Sequence, residues 1–218
     1  MNNTIRKPSA SALWAAALIL CGAGTAEAVV LSLAPASTEV DPGDSVSLEL
    51  VISGLDATAT GTVGAFDIDL SYDTAALSFD GYALGSLLGD VGTEALDFSF
   101  GDVGGGVINL AELSLLETSA ATCIFCIGPY LDDLQSDTFT LATLDFTVDA
   151  LAEGTSTIIG FSEVYALGNG AGRPLQIEGT RNARLFNPGV GVPEPSVLLL
   201  LAAGLVAGRL VGWRISPR

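Results

Sequence analysis

Residues 63–73 read VGAFDIDLSYD, and their alternation decides the fold class. Every second residue from Phe66 to Tyr72 is apolar or aromatic, and the residues between them, from Asp67 to Asp73, are acidic or polar. This period of two is typical of a β-strand with one buried face and one solvated face. The stretch therefore predicts a strand at the surface of a layered β-protein, with its carboxylates on the outer face.

The same alternation continues along the chain. It marks residues 45–52, 96–100 and 144–149, and it places Leu96, Phe98 and Phe100 on the buried face. A change of parity near residues 142–143 predicts a bulge or a bend. Further strands are predicted at residues 29–33, 77–84, 107–113, 155–161, 175–178 and 182–186. Glycine-rich turns separate the strands and no long amphipathic helix is present, so we expect an all-β, antiparallel two-sheet sandwich.

The composition excludes several functional classes. The chain has 8 Lys+Arg against 25 Asp+Glu, a formal net charge of −17, and no histidine. Without an imidazole, neither a Ser-His-Asp triad nor a histidine-ligated metal centre can form. Residues 29–172 contain no Lys or Arg, so we expect no nucleic-acid partner. A large acidic excess keeps a protein soluble and favours cationic partners or divalent ions.

Residues 1–28 have the three parts of a secretory signal peptide. Arg6 and Lys7 form a basic region, residues 12–21 form an apolar region, and Ala26 and Ala28 form an A-x-A cleavage site. We expect cleavage after Ala28 and export of the remaining chain. A buried N-terminal helix is the alternative.

Residues 189–218 resemble a sorting signal. The segment contains Pro193, Glu194 and Pro195, then an apolar stretch at residues 197–208, then a basic tail with Arg209 and Arg214. This order resembles the PEP-CTERM signal of Gram-negative bacteria that produce exopolysaccharide. The resemblance implies an exosortase-type processing enzyme and at least transient insertion in the inner membrane, with the basic tail in the cytoplasm. A simple C-terminal transmembrane anchor helix is the alternative, although the apolar stretch is short for a span.

The middle of the chain resembles a cohesin domain. The resemblance rests on residues 40–48 (VDPGDSVSL), 63–73 and 76–79 (ALSF) in the first half, and on residues 141–148 (LATLDFTV) and 154–158 (GTSTI) in the second half. It spans residues 31–186 and implies a jelly-roll sandwich of about nine strands, similar to carbohydrate-binding modules. Cohesins bind calcium-loaded dockerins, so the resemblance implies a dockerin-like protein as a possible partner. This chain has one such domain, not several.

Cys123 and Cys126 form a C-x-x-C motif in a segment without regular alternation, residues 115–137, which we expect to be an inserted loop. In an exported protein the two thiols are expected to form a disulfide. A thioredoxin-like role would need a βαβ context that is missing, and zinc would need two more ligands.

Two groups of carboxylates are candidate calcium ligands, because calcium prefers oxygen. One is Asp132, Asp133 and Asp137, and the other is the row that includes Asp67, Asp69 and Asp73. A solvated strand face explains the row more simply than a bound ion does. We expect no other cofactor. Paired carboxylates could also hydrolyse glycosides.

We therefore expect three segments: a signal peptide at 1–28, a cohesin-like sandwich at 29–188, and a sorting signal at 189–218. The expected function is non-catalytic binding of a protein or a carbohydrate, in the cell envelope or the extracellular polysaccharide. The alternatives are a structural protein of the biofilm matrix without a discrete ligand and, third, a carboxylate-dependent glycoside hydrolase. Few tyrosines are available for a sugar-binding face, and the parity of Tyr72 points it inward.

Overall fold

The computed structural model describes residues 28–56, 61–123 and 125–189, and the regular secondary structure of this part of the chain is almost entirely β-strand. Its elements are β1 (Ala28–Ala34), β2 (Ser37–Glu39), β3 (Ser45–Ser53), β4 (Ala65–Ser71), β5 (Leu77–Leu84), β6 (Ala95–Asp97), β7 (Gly101–Gly104), β8 (Val107–Ser114), α1 (Leu131–Leu134), β9 (Thr138–Val148), β10 (Ser156–Gly168), β11 (Gln176–Arg181) and β12 (Ala183–Phe186). The predicted signal-peptide features before Ala28 and the predicted sorting signal after Gly189 lie outside the described residues.

The strands form two sheets, which confirms the predicted sandwich. The first sheet has the order β11-β1-β3-β9-β5, and the second has the order β2-β12-β10-β4-β8-β6, with β7 also paired to β8. The described part of the chain has twelve strands where about nine were predicted. Two of the additional strands are β2 and β7, which are three and four residues long and were not predicted as strands.

The first two strands pair in parallel with the last two, whereas the prediction was of antiparallel pairing throughout. Ala28 of β1 lies beside Gln176 of β11, and Ser37 of β2 lies beside Arg184 of β12. The remaining strand pairs are antiparallel. The pairing is parallel because the chain passes from the first sheet to the second between β1 and β2, and again in the same direction between β11 and β12.

The core lies between the sheets and is built by the predicted alternation. Leu48 and Leu50 of β3, and Ile68 and Leu70 of β4, are fully buried. Tyr72 is half-buried and makes an edge-on contact with a buried phenylalanine of β9, with ring centroids 5.5 Å apart, so its inward parity is confirmed. The predicted bulge is also present: β9 places Ala142 and then Thr140 opposite successive residues of β3, with one residue left over.

The prediction for residues 96–100 is wrong. Phe98 is 56% exposed and Phe100 is 81% exposed. Only Ala95–Asp97 form a strand, and its register places Leu96 beside Leu113 on the outer face. The parity in β6 is therefore the reverse of the predicted one: Leu96 lies on the outer face, and Asp97 lies on the inner side, opposite Glu112. After Asp97 the N–H of Phe98 still donates to the carbonyl of Ala111, and the hydroxyl of Ser99 bonds both the N–H and the C=O of that β8 residue.

The sandwich has two distinct ends. At the first, which we call the pocket end, β1, β4 and β11 begin and β8 and β10 end. At the second, the exit end, β10 begins and the chain leaves β12, with the N–H of Gly154 bonded to the carbonyl of Asn187 at 2.8 Å. Because β10 has 13 residues, the two ends are separated by roughly 40 Å. Among the described residues, no helix has the length and apolar character to cross a membrane.

Candidate functional site

The centre of the outer face of the second sheet carries an acidic row that the alternation of β4 predicts. Asp67 and Asp69 project from β4, and Asn109 of the neighbouring strand β8 lies between them. The amide nitrogen of Asn109 donates to Asp67 at 2.9 Å and to Asp69 at 2.8 Å, and its oxygen accepts from the N–H of Phe100 at 3.2 Å. A donor, not an acceptor, therefore faces both carboxylates, which is the wrong polarity for a calcium site shared by these three side chains.

Tyr165 and Glu163 extend the acidic row onto β10. Two bulges in β10 interrupt its pairing with β4 and leave Tyr165 60% exposed on this face. The charges of Asp69 and Glu163 raise the pKa of Tyr165 above its ordinary value of 10.0. The row is thus a concentrated negative surface with an aromatic ring at its centre.

An apolar edge adjoins the acidic row on the β6 side. It consists of Leu96, Phe98, Phe100, Val103 and Leu113, all of which are exposed. The network through Asn109 joins this edge to the row, because the same side chain contacts the backbone of Phe100. Exposed aromatic groups beside charges are typical of interface hot spots with a polar rim.

A cavity of about 520 Å³ opens at the pocket end. Its lining is mostly apolar and glycine-rich: Tyr165 and Leu113 contribute from the outer face, Leu131 from α1, and Leu175 and Ile177 from the start of β11. Because Tyr165 belongs to both, the acidic row continues at the pocket end into a concave apolar surface. This surface can accept an apolar side chain of a ligand.

Glu112 is a buried carboxyl group inside the sandwich. It lies beside Phe66 on the inner parity of β8, it is 1% exposed, and neither carboxylate oxygen has a hydrogen-bond partner. Burial first, and the charge of Asp97 second, raise the pKa of Glu112 from 4.5 to about 7. A general acid must contact its substrate, and these oxygens are enclosed, so Glu112 is not placed to protonate a glycosidic bond.

The segment 115–137 is mostly irregular, as predicted, with α1 as its regular element. A disulfide joins Cys123 and Cys126, whose Cα atoms are 5.5 Å apart. Two large apolar side chains project next to it, Phe125 at 94% exposure and Ile127 at 96%. The carboxylate of Glu117 lies close to both sulfur atoms.

The proposed calcium ligands of the loop are not brought together. Asp132 and Asp133 are exposed on α1, and Asp137 is exposed before β9. These three carboxylates do not form a group with all ligand atoms within 4.8 Å; within the described ranges, only Glu117, Cys123 and Cys126 do so. The sequence analysis did not predict this group, because it treated Glu117 only as part of the loop at residues 115–137 and did not place it near the cysteines.

Sequence reasoning also missed Glu112 and the apolar edge. The alternation of Ile108, Leu110 and Glu112 is visible in the sequence and predicts a carboxyl group on the inner face. The exposure of Phe98 and Phe100 had no comparable signal, because their spacing fits either face. Of the four tyrosines in the chain, Tyr165 is the one exposed on the sheet face.

The comparisons with known proteins agree on the fold. No family model matches the chain, and no curated protein matches it in sequence. The sixth cohesin of scaffoldin B from Acetivibrio cellulolyticus, solved in complex with a dockerin, superimposes with a TM-score of 0.54 at 17% identity, covering 73% of this chain and 99% of that one. A type I cohesin from Pseudobacteroides cellulosolvens gives 0.54 at 12% identity, covering 77% and 96%. A cohesin from Clostridium acetobutylicum gives 0.52 at 19% identity, covering 76% and 94%. The described part of the chain therefore has a cohesin-like fold.

Proposed function

We propose that this protein is a non-catalytic module that binds another protein on the outer face of its second sheet. The observation that carries the proposal is the apolar edge: Phe98 and Phe100 are exposed directly beside the acidic row and gain nothing from the core. Contiguous exposed apolar groups of this kind mark interaction surfaces. Cohesins of similar fold from Acetivibrio cellulolyticus and Clostridium thermocellum have been solved in complex with dockerins, which supports a dockerin-like protein as the partner class.

The charges of the face define the chemistry of the partner. Asp67, Asp69 and Glu163 form a negative surface, and the strands β4, β8 and β10 at the centre of this face contain no Lys or Arg. A partner that presents Lys or Arg around a small apolar patch would match both the row and the edge. Its apolar side chains would pack on Phe100 and enter the cavity at the pocket end.

Capture by the intact chain from the secreted fraction of its host tests this function. We expect one stoichiometric protein on the native chain and little of it on Phe100→Ser or Glu163→Lys. The matched controls are Phe125→Ser, an exposed phenylalanine outside the face, and Asp145→Lys, an exposed carboxylate on the first sheet. Both controls should capture as the native chain does.

Two outcomes would reject protein binding on this face. Equal capture by all four variants would place the partner elsewhere, and retention of polysaccharide without any stoichiometric protein would favour the structural matrix function. Repeating the capture with and without calcium separates a dockerin-like partner, whose fold needs the ion, from other proteins.

The proposal includes delivery to the cell envelope or the extracellular polysaccharide. It is supported by the signal-peptide pattern at residues 1–28 and by the Pro193-Glu194-Pro195 motif, apolar stretch and arginines of residues 189–218. Mass measurement on the protein recovered from envelope and medium checks both predictions: an N-terminus at Val29 supports export, and loss of the C-terminal residues near the Pro-Glu-Pro motif supports exosortase processing. Full-length chain in the cytosol would reject both.

A further inference from the structure

We propose that Glu117, Cys123 and Cys126 form a zinc site that is available only when the disulfide is reduced. One carboxylate oxygen of Glu117 and the two sulfur atoms all lie within 4.8 Å of one another. Among the residues that the structure describes, no other three Cys, His, Asp or Glu side chains converge in this way. The inference concerns a different part of the surface from the proposed binding face and does not depend on it.

The backbone on both sides of the group is held in place. The N–H of Leu131 donates to the carbonyl of Glu117 at 3.0 Å, and the N–H of Asp132 donates to the carbonyl of Thr118 at 3.0 Å. On the cysteine side, the hydroxyl of Tyr130 donates to the carbonyl of Cys126 at 2.7 Å. These bonds tie residues 117–118 and the C-x-x-C loop to the same short segment at α1, so the three ligands stay close when the sulfur–sulfur bond opens.

The chemistry of the three ligands selects zinc. Thiolates separated by two residues are the usual ligand pair of tetrahedral zinc sites, and a carboxylate is an accepted third ligand. The cysteines are half-buried and Glu117 is exposed, so an ion can reach the group from solvent. Three protein ligands leave a fourth position for water or for a side chain of another molecule.

The disulfide and the zinc-bound dithiolate are mutually exclusive states of the same two cysteines. A dithiol reductant transfers two electrons and two protons to the disulfide, giving two cysteine thiols and the oxidised reductant. Binding of Zn²⁺ then displaces the two thiol protons and forms two zinc–sulfur bonds. A disulfide-containing oxidant then takes the two electrons from the thiolates and two protons from solvent, so that the Cys123–Cys126 bond forms again, the oxidant becomes a dithiol and the ion is released.

Metal titration of the full chain in both redox states tests the site. After reduction with a phosphine, the chain should bind one Zn²⁺, and Co²⁺ in its place should give the thiolate-to-cobalt charge-transfer absorption. Zinc should also raise the thermal midpoint of the reduced chain. Glu117→Gln should weaken zinc binding by about tenfold or more, whereas Asp132→Asn, a carboxylate of the same loop outside the group, should leave the affinity unchanged.

The oxidised chain is the control that needs no substitution, since it should bind no zinc at this site. Cys123→Ser should abolish the cobalt absorption, and circular dichroism of that variant establishes whether it is folded. The proposal is overturned if the reduced native chain takes up no zinc, if Glu117→Gln binds as tightly as the native chain, or if the oxidised chain binds equally well.

Discussion

At the scale of single residues, Glu112 has the largest consequence for stability. Its carboxyl group lies between the sheets without a hydrogen-bond partner, and its pKa is raised from 4.5 to about 7 by burial and by Asp97. The fold therefore favours the neutral acid, whereas the unfolded chain ionises at the ordinary pKa. Ionisation of this group costs the fold nothing below about pH 4.5, costs more as the pH rises to 7, and costs a constant amount above that.

We predict that Glu112→Gln makes the protein more stable at alkaline pH. At pH 8 the gain in the free energy of unfolding should be about 3 kcal/mol, since each unit of pKa shift corresponds to about 1.4 kcal/mol. At pH 4 the native and variant chains should differ little. Urea unfolding at several pH values measures the difference, and Asp145→Asn, an exposed carboxylate, serves as the control. A gain that does not depend on pH would contradict the assignment.

Asn109 is the second residue whose loss should be costly. It separates Asp67 from Asp69 and holds the backbone of Phe100. We predict that Asn109→Ala lowers the free energy of unfolding by about 2–3 kcal/mol, because it removes two hydrogen bonds to charged groups and leaves the carboxylates facing each other. Added salt should restore part of the loss, whereas a purely packing defect would not respond. Chemical denaturation at low and high salt distinguishes the two.

At the scale of elements, the start of β4 is pressed against the loop that follows β10. The N–H of Gly64 bonds the carbonyl of Gly168 at 2.8 Å, and a methyl group on Gly64 would lie 2.7 Å from the Cα of Gly170. The nearest atoms to this methyl group, the Cα of Gly170 and the carbonyl oxygen of Asn169, both belong to the backbone. The clash can therefore be relieved only by moving the strand or the loop. This close approach shapes one wall of the cavity at the pocket end.

We predict that Gly64→Ala destabilises the protein by about 1–3 kcal/mol, the usual cost of overpacking. Gly179→Ala is the matched control, because a methyl group there meets nothing within 4 Å, and it should change the stability by less than about 1 kcal/mol. Thermal unfolding of the two variants compares them directly. Equal stability would mean that the strand and the loop separate without cost.

Elements with one buried face could be predicted from the sequence, and elements at the edge could not. The alternation of apolar and polar residues predicts the strands β3, β4 and β9, because a central strand must place an apolar side chain in the core at every second residue. The segment from β6 to β7 has neighbours on one side only, so its aromatic residues obey no such requirement and their exposure was predicted wrongly. For the same reason the acidic row was predicted, whereas the apolar edge and the partnership of Glu117 with the cysteines needed the folded structure.

At the scale of the whole molecule, charge opposes compaction. Residues 29–191 carry 23 acidic residues against three arginines. Self-repulsion of this size raises the free energy of the folded state more than that of the expanded chain. The strand faces spread the charge over both outer surfaces, which limits the repulsion without removing it.

We predict that monovalent salt raises the thermal midpoint of the protein. The rise should occur between about 10 mM and about 150 mM NaCl, over which the Debye length falls from about 30 Å to about 8 Å, and then level off. Differential scanning calorimetry across this range measures the effect. A midpoint that climbs steadily into molar salt, with no early rise, would indicate a general salting-out effect on apolar surface instead of screening.

The parallel pairing of the outermost segments also determines how this protein responds to tension. The chain enters beside Gln176 and leaves after Phe186, so pulling its two termini apart slides β1 and β11 past each other along their length. All the backbone hydrogen bonds between them then carry the load together, whereas a zipper geometry would break them one at a time. A molecule tethered at one terminus and loaded at the other is thereby pulled in its mechanically strong direction.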